Sequence, residues 1–176
     1  LGVKSLESYI NLLLTPDFKR KELLKMSGES LHNLISYMEH HVLGKVTESQ
    51  LNMEVIYEDK SLTMAKIIYH LAYYEDLYFN PIIRQALYNE EIKLPHFVEE
   101  SLTRNLDKNE VDMWLNHLIS ERKRNIYIVE HNFKEYEHRV FLHYLNGRMK
   151  FDDVTQNVLR HDRHHLEQIM HILQQI

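Results

Sequence analysis

Near its C-terminus the chain reads Leu159-Arg160-His161-Asp162-Arg163-His164-His165-Leu166-Glu167-Gln168-Ile169. His161 and His165 are four residues apart. On an α-helix this spacing stacks two imidazoles on one face, one turn apart, so a first-row metal can take two ligands from one rigid element. Val154, Val158, Ile169, Ile172 and Ile176 continue the same stripe at helical spacing. Both rings therefore stand where apolar side chains would point into a core, and a polar ring there must be hydrogen-bonded or ligated. This helix alone leaves two readings open. One is a pair of core histidines bonded to buried carboxylates or carbonyls. The other is a pair of metal ligands whose third partner comes from elsewhere. His164 points off the seam and reads as a bystander, with His161 and His164 as the fallback pair.

A second segment repeats the situation. Leu62 to Phe79 has helical periodicity, and Ile67, Tyr74, Leu77 and Tyr78 share a face with His70. Here too a histidine lies on an apolar stripe, as a satisfied core residue or as a ligand. The tyrosines around it (Tyr69, Tyr73, Tyr74, Tyr78) read as core packing or as the lining of a pocket.

The elements that must position these rings follow from the breakers and the periodicity. Four glycines and three prolines interrupt 176 residues, which predicts an all-α fold in one domain spanning 1–176. Leu1–Leu14 reads as a short amphipathic helix, and residues 1–27 form an N-terminal extension expected to pack on the domain. Leu31, Leu34, Ile35, Met38 and Val42 mark the first long helix, with His40 and His41 complementing its C-terminal dipole and Gly44 just beyond. Val46–Lys60 reads as a loop, and Ser61 or Thr63 as the cap of the helix that carries His70. Asn80-Pro81 should kink or end that helix. Asn89–Arg104 reads as a long crossing loop. Asp107 and Glu110 form a capping box before a third helix marked by Val111, Trp114, Leu115, Leu118, Ile119, Ile126 and Val129, ending near His131-Asn132. Its Glu121-Arg122-Lys123-Arg124 run reads as a solvated face. Phe133–Lys150 is a second long connection with a turn at Asn146-Gly147, and the last helix starts near Phe151. Four long helices with two long links predict a four-helix bundle with crossover connections.

Composition narrows the function. The absence of cysteine excludes disulfides, thiolate zinc sites and a cysteine nucleophile, and suits a cytoplasmic protein. A net charge of −5, with both signs mixed along the chain, argues against nucleic acid or an anionic membrane as partner. No apolar run approaches the ~20 residues of a membrane span. Lys4, Glu7 and Asn11 interrupt the first segment, so it does not read as a signal peptide.

Thr63-Met64-Ala65-Lys66-Ile67-Ile68-Tyr69-His70-Leu71 resembles the segment leading to the first metal histidine of DinB-like proteins, the superfamily that includes the YfiT type. Gly147, Phe151-Asp152-Asp153-Val154 and His161-Asp162-x-x-His165-Leu166-x-Gln168-Ile169 resemble the family's final helix. The likeness runs from about Gly28 to Ile176. It implies a four-helix bundle, often a homodimer, in which His70, His161 and His165 hold a divalent metal such as zinc or nickel. It also implies a metal-dependent enzyme acting on a small electrophilic substrate, either a hydrolase or an S-transferase that uses a low-molecular-weight thiol. The segment before Gly28 departs from the family pattern.

Three neutral imidazoles leave at least one coordination position open, which is a catalytic rather than a structural arrangement. Their free N–H groups need acceptors, and Asp162, Gln168 and Glu75 are the candidates. Because ligand imidazoles must be neutral, metal affinity is expected to fall as pH drops through ~6.5. The alternative is a non-enzymatic bundle, a metal-binding, interaction or stress protein in which the histidines are structural.

Overall fold

The computed structural model describes residues 32–96 and 104–175. The expected helix at Leu1–Leu14, the 1–27 extension and Ile176 lie outside them. Four helical elements enclose the core. They are α1 (residues 32–41), α3 (Met64–Tyr74) with its continuation, α5 (Lys108–Glu137) and α6 (Phe151–Leu173). A one-turn helix, α2 (Glu48–Leu51), lies between the first two.

The expectation of an all-α chain needs correcting, because two small sheets fill stretches read as loops. β1 (Val55–Tyr57) and β2 (Lys60–Leu62) form an antiparallel hairpin. Glu58 and Asp59 turn it at φ 47° and 63°, positive values that two-residue hairpin loops require but Glu rarely adopts. β3 (Glu91–Lys93) pairs in parallel with β4 (Val140–His143), which pairs antiparallel with β5 (Gly147–Met149). α5 lies between β3 and β4 in the chain, and Gly147 takes the turn into β5 at φ 69°. The expected loops at Val46–Lys60, Asn89–Arg104 and Phe133–Lys150 therefore each contain structure.

Helix ends follow their local chemistry. The Thr63 hydroxyl accepts from the Lys66 amide and caps α3. The Asp107 box is complete: its carboxylate accepts from Glu110 N–H at 2.9 Å, and Glu110 accepts from Asp107 N–H at 3.2 Å. α5 runs six residues past the predicted His131 end, and Asn132 (φ −119°, ψ 19°) marks a kink inside it. At Pro81 the helix does not stop. A π-turn (Glu75–Phe79) intervenes, with Asn80 N–H bonded to Glu75 C=O, and α4 (Asn80–Ala86) carries on. Proline lacks the donor and clashes with the carbonyl of the preceding turn; the wider turn accommodates both.

The core face of α3 is centred on Met64, Ile68, Leu71 and Glu75, all essentially buried. His70 lies at the edge of that arc and is half-buried. Leu77, predicted on the buried face, lies beyond the edge and is 46% exposed. On α6 the centre of the buried arc falls on Val158, Asp162 and Ile169, with His161 at its margin.

This arc sets a direct comparison within one helix. Leu71→Ala should lower unfolding stability by about 2–5 kcal/mol, and Leu77→Ala by no more than about 0.5 kcal/mol. Urea unfolding of the two variants checks it. Equal losses would mean that the arc is misplaced.

Candidate metal centre

The seam of α5 follows a 4-3-4-3-4 spacing through Val111, Leu115, Leu118, Arg122, Asn125 and Val129, and all six side chains are buried. Two of them are polar. Arg122 is completely inaccessible, which overturns the reading of Glu121–Arg124 as a solvated face; Lys123 and Arg124 do point outward. The Arg122 Nε donates to Glu75 Oε2 at 2.8 Å, and Nη2 lies 2.7 Å from the same oxygen. Nη1 donates to Asp162 Oδ2, and Nη2 donates to Asp162 Oδ1 at 3.3 Å. Asn125 Nδ2 donates to Glu75 Oε1 at 2.6 Å and to Asn80 Oδ1. Sequence reasoning missed Arg122 and Asn125 because a charge run hides them; the seam spacing is the signal that marks them.

Burial disfavours the charge on both carboxylates, with different outcomes. At Glu75 burial outweighs Arg122, and the carboxyl is pushed up. At Asp162 burial is outweighed by the guanidinium and the adjoining His161 ring, and the carboxyl is held down.

The histidines gather beside this network. His70 from α3 and His161 and His165 from α6 each present a ring nitrogen within 4.8 Å of the other two. Among the described residues, no other group of three or more His, Asp and Glu side chains converges in this way. The Nε2 atoms of His70 and His161 are 2.9 Å apart, so one carries a proton and the other accepts it. Tyr74 stacks on His161, ring centroids 3.8 Å apart, and walls that face of the imidazole. Burial pushes its hydroxyl pKa up, with Tyr78 and Asp162 adding to the effect. The tyrosines divide accordingly: Tyr74 and Tyr78 are core, while Tyr69 packs edge-on against Trp114.

The predicted acceptors fall in three different places. Gln168 Oε1 lies 2.7 Å from His165 Nδ1, and a carbonyl oxygen there accepts the ring N–H, leaving Nε2 with its lone pair. The amide nitrogen of Gln168 donates to Nε2 of the exposed His164, 3.0 Å away. Asp162 Oδ1 stands 3.9 Å from His161 Nδ1, a buried atom with no hydrogen-bond partner. Glu75 places its oxygens on Arg122 and Asn125 and is linked toward the histidines through Arg122 and Asp162.

The donor set fits a small divalent cation. Nitrogens bound tetrahedrally at ~2.1 Å stand ~3.4 Å apart, a spacing that the cluster brackets. His165 is kept neutral: burial first, then repulsion from His161 and His70, pushes its pKa down to about 3. A proton therefore competes poorly for this ring, and the loss of affinity expected near ~6.5 does not come from it.

Comparison with known proteins adds two findings. The family model described as the DinB superfamily matches residues 34–169. Among solved structures, YfiT from Bacillus subtilis superposes with a TM-score of 0.72 at 16% identity, over 92% of this chain and 91% of that one. YfiT is described as a probable metal-dependent hydrolase with an unusual four-helix bundle topology. No curated protein matches the sequence.

The depressed pKa of His165 has a thermodynamic consequence. Unfolded, the ring takes a proton near ~6.5; folded, it does so only at about 3. The unfolded state binds more protons between these values, so the metal-free protein should lose stability as pH falls below ~6.5. Urea midpoints in chelator from pH 7.5 to 5 measure the slope, and His165→Gln should flatten it. An unchanged slope in that variant would assign the effect elsewhere.

Proposed function

The chain belongs to the DinB superfamily, and we propose that it is a metal-dependent hydrolase of a small electrophilic substrate, with His70, His161 and His165 holding one divalent cation. One observation carries this reading: three imidazoles from two helices converge within 4.8 Å at the edge of the core rather than at its centre. Core histidines kept only for packing would each need a separate partner, whereas these face one another. Imidazole sets of this kind suit zinc or nickel. When bound, such a cation supplies Lewis acidity, polarising an acceptor oxygen and lowering the pKa of a coordinated water or thiol.

The protein's own groups prepare the site. Gln168 fixes the tautomer of His165 so that Nε2 is free to ligate. Tyr74 closes one face of His161 to water. His70 approaches from the rim of its helix, which leaves the cluster half-buried and accessible to a small molecule. The likeness to YfiT in fold, and the description of that protein as a probable metal-dependent hydrolase, support hydrolysis over the alternatives.

Elemental analysis of tag-free protein purified without chelator should find about one zinc or nickel per chain, and His70→Ala, His161→Ala and His165→Ala should each lose it. The loaded protein should then turn over members of an ester and amide panel without added thiol, and His161→Ala should abolish this. Turnover only with a thiol present would replace hydrolysis by S-transfer. Failure to take up metal even on loading would make the histidines structural and the bundle non-enzymatic.

A further inference from the structure

His161 Nδ1 is buried and lacks a hydrogen-bond partner, and the nearest carboxylate oxygen, Asp162 Oδ1, is 3.9 Å away. A ring nitrogen left in this way is costly unless an acceptor beside it is held ready for its N–H. Asp162 does not hold itself. It follows His161 in the chain, it is buried at the centre of the α6 core face, and both its oxygens lie on the Arg122 fork. Arg122 comes from a different helix, α5, and is anchored from behind by Glu75. Phe79 covers the guanidinium at 5.4 Å.

We propose that Arg122 is a positioning residue for the histidine cluster: its planar fork aims the Asp162 carboxylate at His161 Nδ1, so that the ring keeps its proton on Nδ1 and turns Nε2 to the ligand side. The chemistry requires a guanidinium. A lysine ammonium matches the charge but is a point donor on a flexible stem, and it cannot hold both carboxylate oxygens in one plane. The two histidines of α6 thus use different acceptors for the same purpose. Gln168 serves His165 from within the helix, and Asp162 serves His161 with its orientation set across the bundle. With the His161 proton on Nδ1, the proton shared across the 2.9 Å contact belongs to His70: its Nε2–H donates and His161 Nε2 accepts.

This inference rests on the metal-site reading, but part of its test does not. Long-range ¹⁵N–¹H correlation on metal-free protein reports the tautomer of each ring. Wild-type His161 should be the Nδ1–H tautomer; finding Nε2–H would overturn the proposal without any variant being made. Arg122→Lys should give His161 a mixture of tautomers and leave His165 unchanged on Gln168. It should also weaken zinc binding by about 10–100-fold. Glu75→Gln keeps the fork on Asp162, so it should hold the His161 tautomer and change zinc affinity less than threefold, whatever it does to the melting temperature. Affinity that tracks melting temperature across both variants would reduce Arg122 to a purely structural role and sink the idea. A wild type that binds no zinc would remove the metal reading, and the tautomers would still decide the role of Arg122.

Discussion

Arg122 is completely buried, and a guanidinium taken out of water needs its charge neutralised and its donors occupied. Two carboxylates do this, Glu75 from the end of α3 and Asp162 from α6, so three of the four long helices meet at one cation. Replacing such a network by hydrocarbon is often neutral or stabilising, whereas removing one partner costs about 3–5 kcal/mol. Against a total stability of about 5–15 kcal/mol, that penalty is large. A one-residue slip of any of the three helices turns its polar side chain away by about 100° and incurs it. The network therefore fixes the rotation and register of α3, α5 and α6 relative to one another, which apolar packing alone would set less sharply.

That constraint also places the histidines. Glu75 and Asp162 take the centres of their helices' core faces, and His70 and His161 stand at the margins. Aligning the two carboxylates on one guanidinium brings the two margins together, and His165, one turn beyond His161, completes the cluster. The π-turn extends the same polar seam. Asn80 follows it and is buried, where its side chain joins Asn125 to Asp76 and Glu121. From His117 at the surface through Asp76, Asn80, Asn125, Glu75, Arg122 and Asp162, polar side chains follow one another to the edge of the histidine site.

Much of this was legible in the residues, and the exceptions have physical reasons. The α6 stripe, the Asp107 box and the Asn146-Gly147 turn all rest on short-range rules, and each can be found by spacing alone. The β1–β2 hairpin was hidden because Glu58-Asp59 lacks the glycine or asparagine that usually signals positive φ. The β3–β4 pairing was hidden because it joins segments separated by the whole of α5. Arg122 was hidden by composition: in Glu121-Arg122-Lys123-Arg124 the two cations that follow it are solvated, and only the seam through Leu118 and Asn125 distinguishes it. Asp162, a candidate acceptor for a ligand imidazole from its place beside His161, has both carboxylate oxygens on Arg122 across the bundle. What the chain alone could not show was the cation on the other side.

The joint arrangement also gives the cluster an electrostatic preference. Burial disfavours a protonated imidazole here, and repulsion among the three rings adds to that cost, as the depressed pKa of His165 shows. A proton is thus a poor occupant. A divalent cation would share its charge over three nitrogens and face, through His161, a carboxylate that stays ionised because Arg122 is behind it. Arg122 itself is screened from the cluster by the same carboxylate, so a second positive charge can sit one residue further out at little mutual cost. The buried ion network that holds the helices in register is in this sense continuous with the histidine site: the carboxylate that satisfies the guanidinium on its inner side is the negative charge that the histidine cluster meets on its outer side.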